Sequence, residues 1–134
     1  MKFLFLLLAL FSFSQNTIPE KSNAIKVTGI TFREIANSTL DAGYILEKVD
    51  SNFQTLRTEY KERAGENKRM KVRLMIRVKD SVATITGEWY NALFTEEKYA
   101  KKIEYTFGNT KSCFEEMNQF AMTLNRPIEY LVVK

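Results

Sequence analysis

The side chains that perform chemistry most often in small domains are scarce in this chain. It contains no histidine, and its single cysteine is Cys113. An imidazole base, a Cys-His pair, a His-ligated metal site and an intrachain disulfide are therefore excluded. Cys113 falls near the first turn of a predicted helix, where the helix dipole could lower the pKa of its thiol. It also shares an apolar helical stripe with Met117 and Phe120, and free cysteine is among the most buried residue types, so we favour a core side chain over a reactive thiol.

Two pairs of adjacent carboxylates, Glu96-Glu97 and Glu115-Glu116, are the other candidates for acid-base chemistry. Adjacent residues point in different directions on a helix or strand, so neither pair presents two carboxylates to one substrate. The segment 50–52 is too short for a calcium loop, and the glycines do not cluster into a phosphate-binding loop. The sequence therefore predicts no catalytic residue, no metal site and no cofactor.

A basic stripe on a predicted strand is a candidate for binding rather than catalysis. Four cations share one face of that strand, with Met75 between them: Lys71, Arg73, Arg77 and Lys79. If helices cover the other face, the stripe is exposed and could contact an acidic partner or an anionic lipid surface. The alternative, which we favour, is the ordinary charge of a solvated sheet face, because Glu88 is expected to neutralise part of the stripe.

Aromatic residues concentrate between Trp89 and Phe107. Three of them, Tyr90, Phe94 and Tyr99, do not belong to the predicted core. Exposed aromatic side chains mark contact surfaces, although these three could equally cover an open end of the core. We therefore retain them as a second candidate surface.

The first fourteen residues have the pattern of a secretory signal peptide. Met1-Lys2 is a short positive start, Phe3–Phe13 is apolar, and small residues stand at Ser12 and Ser14. The apolar run is too short to cross a bilayer as a helix, which takes about 20 residues. We predict cleavage after residue 14 and a secreted or periplasmic mature form without a transmembrane segment.

Cleavage after Ser14 would leave a mature chain that begins at Gln15. No cysteine lies near this position, so a lipoprotein anchor is not expected. The net charge of +4 falls only by the charge of Lys2. A charge of this size does not indicate a nucleic-acid partner.

The hydrophobic pattern predicts a single α+β domain over residues 24–134, after a flexible leader over 15–23. Helices are predicted at Thr31–Ala42 and from Ser112 to Leu124, both with capping-box spacing at the start. Strands are predicted at Ala24–Thr28, Tyr44–Val49, Phe53–Tyr60, Met70–Lys79, Val82–Tyr90, Ile103–Phe107 and Ile128–Val133. The segment 61–68 is predicted to be a charged hairpin tip. The segment 91–102 is predicted to be a turn or a short helix that begins near Thr95. The order β-α-β-β-β-β-β-α-β predicts a two-layer fold, with both helices on one face of an antiparallel sheet.

The hairpin within Met70–Tyr90 also has a predicted register. A turn at Asp80-Ser81 pairs Ile76 with Ile85 and, by the same alternation, every other apolar position with an apolar or small residue. On the opposite face this register sets Arg73 against Glu88.

The run from Ile25 to Tyr60 carries a family resemblance. Its helix ends in Leu40-Asp41-Ala42-Gly43-Tyr44, and the turn after the next strand is Asp50-Ser51-Asn52-Phe53. This pattern resembles the opening of helix-grip domains, such as those of the accessory lipoprotein of the outer-membrane barrel-assembly machinery. It is also similar to small secreted bacterial domains of unknown function with a TATA-binding-protein-like fold. The resemblance implies an interaction module and transfers no functional residue, and the lipid-attachment cysteine of the lipoprotein is missing here.

Three functions remain open on the sequence alone. The first is a non-enzymatic extracytoplasmic binding or accessory module that contacts another envelope protein. The second is a carrier that holds a small apolar ligand between the sheet and the helices. The third, an enzyme that uses carboxylates or Cys113, has less support. A ligand cavity of about 300 Å³ or more would favour the carrier over the interaction module.

Overall fold

The computed structural model describes residues 17–63 and 69–134. The predicted signal peptide and residues 64–68 of the predicted hairpin tip lie outside these ranges. Two α-helices lie in the described part of the chain: α1 (Phe32–Asp41) and α2 (Gly108–Thr123). The strands there are β1 (Ala24–Thr28), β2 (Leu46–Asp50), β3 (Thr55–Thr58), β4 (Lys61–Glu62), β5 (Met70–Lys79), β6 (Val82–Asn91), β7 (Lys101–Lys102) and β8 (Ile128–Leu131). In this part of the chain, no helix is long and apolar enough to cross a membrane.

The described strands form one antiparallel sheet, in the order β2-β3-β5-β6-β1-β8. The two-residue strands β4 and β7 pair with β5 and β6. The predicted α+β class with an antiparallel sheet is therefore confirmed. β2 and β8 lie at the two edges, and β1 lies between β6 and β8.

The long hairpin of β5 and β6 has the predicted register. Ile76 pairs with Ile85, and Arg73 pairs with Glu88 on the opposite face. The turn residues Asp80 and Ser81 have φ angles of 52° and 60°. Two successive left-handed residues match the twist of a two-residue hairpin turn, which fixes the register from the turn end as well as from the core.

Both helices pack on the same face of the sheet. Ile35 of α1 and Phe114 and Met117 of α2 belong to one core cluster with the inward side chains of the strands, such as Ile25 and Leu74. α1 begins as predicted, because Thr31 is its N-cap and its hydroxyl accepts a hydrogen bond from the amide of Glu34 at 3.1 Å. Neither of these two helices lies on the second face of the sheet.

The core between α2 and the sheet has no room beside Gly87. A Cβ atom at this position would lie 2.6 Å from Cδ1 of Ile103 and 2.9 Å from the carbonyl oxygen of Arg73. Both distances are shorter than a real Cβ contact allows. A glycine is therefore required in the middle of β6, where a helix and a neighbouring strand approach closely.

The predicted strand Ile103–Phe107 is wrong. Pairing with β6 occurs instead at Lys101–Lys102, and no regular ladder follows, although the amide of Ile103 donates to Gly87 and the amide of Tyr105 donates to Ser22. The chain leaves the sheet here because Phe107 is already the N-cap of α2. Phe107, which the pattern places in the core, is 83% exposed.

α2 begins at Gly108, four residues before the capping box that we expected at Ser112. The hydroxyl of Thr110 accepts a hydrogen bond from the backbone of Glu104 at 2.9 Å, which ties the first turn to the preceding segment. This contact with the preceding segment outweighs the capping signal at Ser112. The predicted buried stripe from Cys113 to Leu124 is confirmed.

Three connections differ from expectation in their details. The turn after β2 extends to Gln54, because the Asp50 carboxylate accepts hydrogen bonds from the amides of Asn52 and Phe53 and Gln54 is left-handed. Lys61–Glu62, expected in a solvated tip, pairs with β5. The ambiguous segment 91–102 contains a turn, a 3-10 turn at Glu97–Tyr99 and β7.

The described part of the expected leader, residues 17–23, has no helix or strand but contacts the domain. Ile18 packs against the core, and Ser22 is buried. The amide of Lys21 donates a hydrogen bond to the carbonyl of Tyr105 at 2.9 Å. The end of this segment is thus fixed to the connection that precedes α2.

Candidate interaction surface

The face of the sheet opposite the two described helices, here called the open face, is built from rows of side chains set by the strand register. Met75 at its centre lies between Arg57 of β3 and Thr86 of β6. In the next row, Arg77 lies between Thr55 and Thr84. Because alternate residues of a strand share a face, the buried residues of β5 point to the core while these point away from it.

The open face contains a groove of about 560 Å³. Besides Leu56 and Ile76, whose side chains belong to the core, the uncharged residues that line it are Met75, Leu131, Val133, Thr55, Thr84 and Thr86. The charged residues that line it are Lys48, Arg57 and Arg77. A smaller cavity of about 230 Å³ shares Met75, Thr86 and Val133 with this groove and adds Lys102. The two adjoin at these shared residues, and we call them together the open-face groove.

The C-terminal residues form one end of the groove, and Asn23 holds this end in place. Its side-chain amide donates a hydrogen bond to the carbonyl of Val133, and its side-chain oxygen accepts one from the amide of Val133, both at 2.7 Å. The side chain thus substitutes for a strand neighbour beyond the end of β8. Val133 is held against the sheet, where it lines both parts of the groove.

Two residues of the predicted basic stripe are engaged within the fold. Arg73 donates a hydrogen bond to Glu88 at 2.7 Å, lies 3.7 Å from Glu47, and stacks over the ring of Tyr60 at 4.7 Å. Lys71 contacts Glu62 at 2.9 Å. These two cations are therefore compensated before any partner binds.

The other two residues of the stripe, Arg77 and Lys79, are exposed and have no ion pair in the described part of the chain. They differ in position. Arg77 lines the open-face groove, whereas Lys79 is the last residue of β5 and is not among the groove residues. Of the predicted stripe, Lys71 and Arg73 are thus paired within the fold, Arg77 faces the groove, and Lys79 lies at the end of β5.

The three aromatic candidates, Tyr90, Phe94 and Tyr99, lie in different environments. The ring of Tyr90 packs edge-on against Tyr60, with centroids 4.9 Å apart. Burial raises the pKa of Tyr60 to about 12, despite the opposing charge of Arg73, so its phenol stays neutral. Phe94 and Tyr99 are 77% and 60% exposed and line a groove of about 570 Å³ on the loop before β7.

Cys113 and the two carboxylate pairs do not form a catalytic arrangement, although Glu116 lies one helical turn from Cys113. Cys113 is fully buried, and burial raises the pKa of its thiol to about 12, although Arg63 opposes the shift; Glu116 also raises this pKa. Glu96 is exposed and pairs with Lys98 at 3.4 Å, while Glu116 lies 3.9 Å from Arg63. Within residues 17–63 and 69–134, no group of three side chains is placed to hold a metal ion.

The groove residues include several that the sequence interpretation did not select: Lys48, Met75, Thr84, Thr86, Leu131 and Val133. Met75 did carry a signal, because it is an apolar residue among outward-facing cations. Leu131 and Val133 carried none, since their place on the open face depends on which strand β8 joins.

No family model and no curated protein matches the chain. The geometry of the open face is consequently the main support for a functional assignment.

Proposed function

We propose that this protein is a non-enzymatic binding module that acts outside the cytoplasm and contacts another envelope protein through the open face of its sheet. The observation that carries the proposal is the open-face groove, where apolar side chains and cations share the face opposite both described helices. Apolar contacts supply affinity, and charges select the partner and steer its approach.

The proposed location rests on the N-terminal sequence. Residues 1–14 combine a positive start, an apolar run and small residues at the cleavage position, which is the pattern of an exported protein. The resemblance of residues 25–60 to helix-grip and TATA-binding-protein-like domains supports the same proposal, because such domains are interaction modules or are uncharacterised.

The state of Cys113 supports a role other than nucleophilic catalysis. A thiolate is the reactive form of cysteine, and a pKa near 12 keeps the Cys113 thiol protonated at neutral pH. The side chain is also fully buried against the core, out of reach of a substrate. Its contribution is to packing between α2 and the sheet.

A ligand between the sheet and the helices, the alternative function, would have to displace packed side chains. The close approach of Ile103 and Met117 to Gly87 leaves no space for even one added methyl group. The open face offers a groove without such displacement, so the contact with a protein partner is the better-supported function.

Site-specific photo-cross-linking in the native envelope tests this proposal. A photoreactive residue at Thr84, in the groove, should cross-link to one protein, which mass spectrometry then identifies. The matched control is Gln119, an exposed residue of α2 on the side of the protein away from the open face. Equal capture from both positions, or capture only from Phe94, would contradict the assignment to the open face.

A further inference from the structure

We infer that the open-face groove takes an extended acidic peptide segment, which places one apolar side chain against Met75 and carboxylates beside Arg77 and Lys48. This inference rests on the proposed function and adds the chemistry of the partner. It is supported by the charge, the composition and the shape of the groove.

The charged side chains that line the groove are all positive. The charged side chains that line it, among the described residues, are the cations Lys48, Arg57, Arg77 and Lys102. Arg57 already contacts Glu47, with Nε 3.3 Å from Oε2. The other three have no ion pair in the described ranges. A neutral or basic segment would leave these cations uncompensated and partly desolvated, whereas carboxylates complement them.

The composition of the groove requires an apolar contact as well. Met75 and Val133 line both cavities, and Leu131 lines the larger one. Methionine adapts its flexible side chain to different apolar partners and is common at surfaces that bind peptides. A purely ionic ligand, such as a free phosphate, would leave this part of the groove unfilled.

The shape of the groove favours a peptide over a membrane. Its volume of about 560 Å³ lies within the range of ligand-binding clefts, about 300–1,000 Å³, and matches a few side chains rather than a folded surface. A flat bilayer has no single side chain to place against Met75, which lies between Arg57 and Thr86. An extended segment can instead direct one side chain inward and keep its backbone at the rim, because alternate residues of an extended chain point in opposite directions.

The experiment is selection from a random nine-residue peptide library displayed on phage, with the purified protein as the target. We expect enriched peptides to contain one apolar residue flanked by Asp or Glu. An enriched peptide, labelled and titrated by fluorescence anisotropy, should bind about fivefold more weakly to Arg77→Glu than to the wild type. Its affinity should also fall as the salt concentration rises.

Two matched controls locate the site. Lys79→Glu makes the same charge change on the same strand, outside the groove, and should alter the affinity by less than about twofold. Met75→Ser should weaken binding, whereas Met122→Ser, at an exposed position of α2, should not. Circular dichroism checks that each variant is folded, and Thr84→Arg gives an independent obstruction of the groove if Met75→Ser does not fold.

Three outcomes would overturn the inference. Enriched peptides could be basic or wholly apolar, the effects of Arg77→Glu and Lys79→Glu could be equal, or binding could occur only to vesicles that contain phosphatidylglycerol. If any of these appears while the cross-link from Thr84 to an envelope protein persists, the proposed function stands and the acidic-peptide chemistry is wrong. If peptides bind as expected but no cross-link forms in the envelope, the proposed function fails instead.

Discussion

Gly87→Ala tests the packing that separates an interaction module from an internal carrier. The added Cβ would lie 2.6 Å from Cδ1 of Ile103, 2.9 Å from the carbonyl oxygen of Arg73 and 3.3 Å from the sulfur of Met117. The two side chains can move, but the carbonyl belongs to β5 at the centre of the sheet. Overpacking of this kind costs about 1–3 kcal/mol, and we expect Gly87→Ala to fall in the upper half of that range.

A second substitution shows which neighbour causes the effect. Ile103→Val removes the Cδ1 atom that is nearest to the new methyl group and should by itself cost about 0.5–1.5 kcal/mol. The double variant should be less destabilised than the sum of the two single variants, by about 1 kcal/mol, because the shorter side chain relieves one clash. The contact with the Arg73 carbonyl remains, so the rescue should be partial.

Urea unfolding, followed by circular dichroism, measures the free energy of unfolding of all four proteins. A cost below about 0.5 kcal/mol for Gly87→Ala, or additivity in the double variant, would refute the packing described for this region. Space would then exist between the sheet and α2, and the carrier of a small apolar ligand would become the better hypothesis.

Three further predictions concern the core, the thiol and the N-terminus. Ile76→Ala should lower the free energy of unfolding, measured in urea titrations, by about 2–5 kcal/mol, because Ile76 is buried and pairs with Ile85. A change as small as that of a surface substitution would contradict this prediction. The Cys113 thiol is more acidic in the unfolded chain, with an ordinary pKa of 9.0 against about 12 in the fold. The folded protein should therefore lose stability as the pH rises above about 9. Denaturation curves taken at several pH values should show a smaller loss for Cys113→Ala than for the wild type. If the free energy of unfolding depends on pH equally in both proteins, the thiol is not buried. Cys113→Ser should leave partner binding intact. Intact-mass analysis of exported protein should give a chain that begins at Gln15, and retention of residues 1–14 would show that the signal peptide is not cleaved.

The parts of the fold that follow from local signals could be predicted from the sequence. Alternation along β5 and β6 and the Asp80-Ser81 turn fix one register, since a slip by one residue would bury charges. The cap at Thr31 and the left-handed Gly43 likewise fix both ends of α1 from neighbouring residues.

The parts that depend on contacts other than the alternation, turn and capping signals could not be predicted. The start of α2 is decided by Thr110 and Glu104, and the end of the sheet at residue 103 follows from that start. The stripe on β5 was visible, but its division was not, because it depends on Glu47 and Tyr60 from separate strands and loops. The groove could not be predicted from the sequence for the same reason. It exists only because β8 joins β1 and Asn23 holds Val133 beside it.

The central claim is that a partner protein binds in the open-face groove, and one measurement tests it most directly. The yield of the product cross-linked from Thr84 in the native envelope is compared between the wild type, Arg77→Glu and Lys79→Glu, at equal amounts of each protein. Our account predicts a specific product whose yield falls sharply in Arg77→Glu and stays near the wild-type value in Lys79→Glu. An undiminished yield in Arg77→Glu would contradict it.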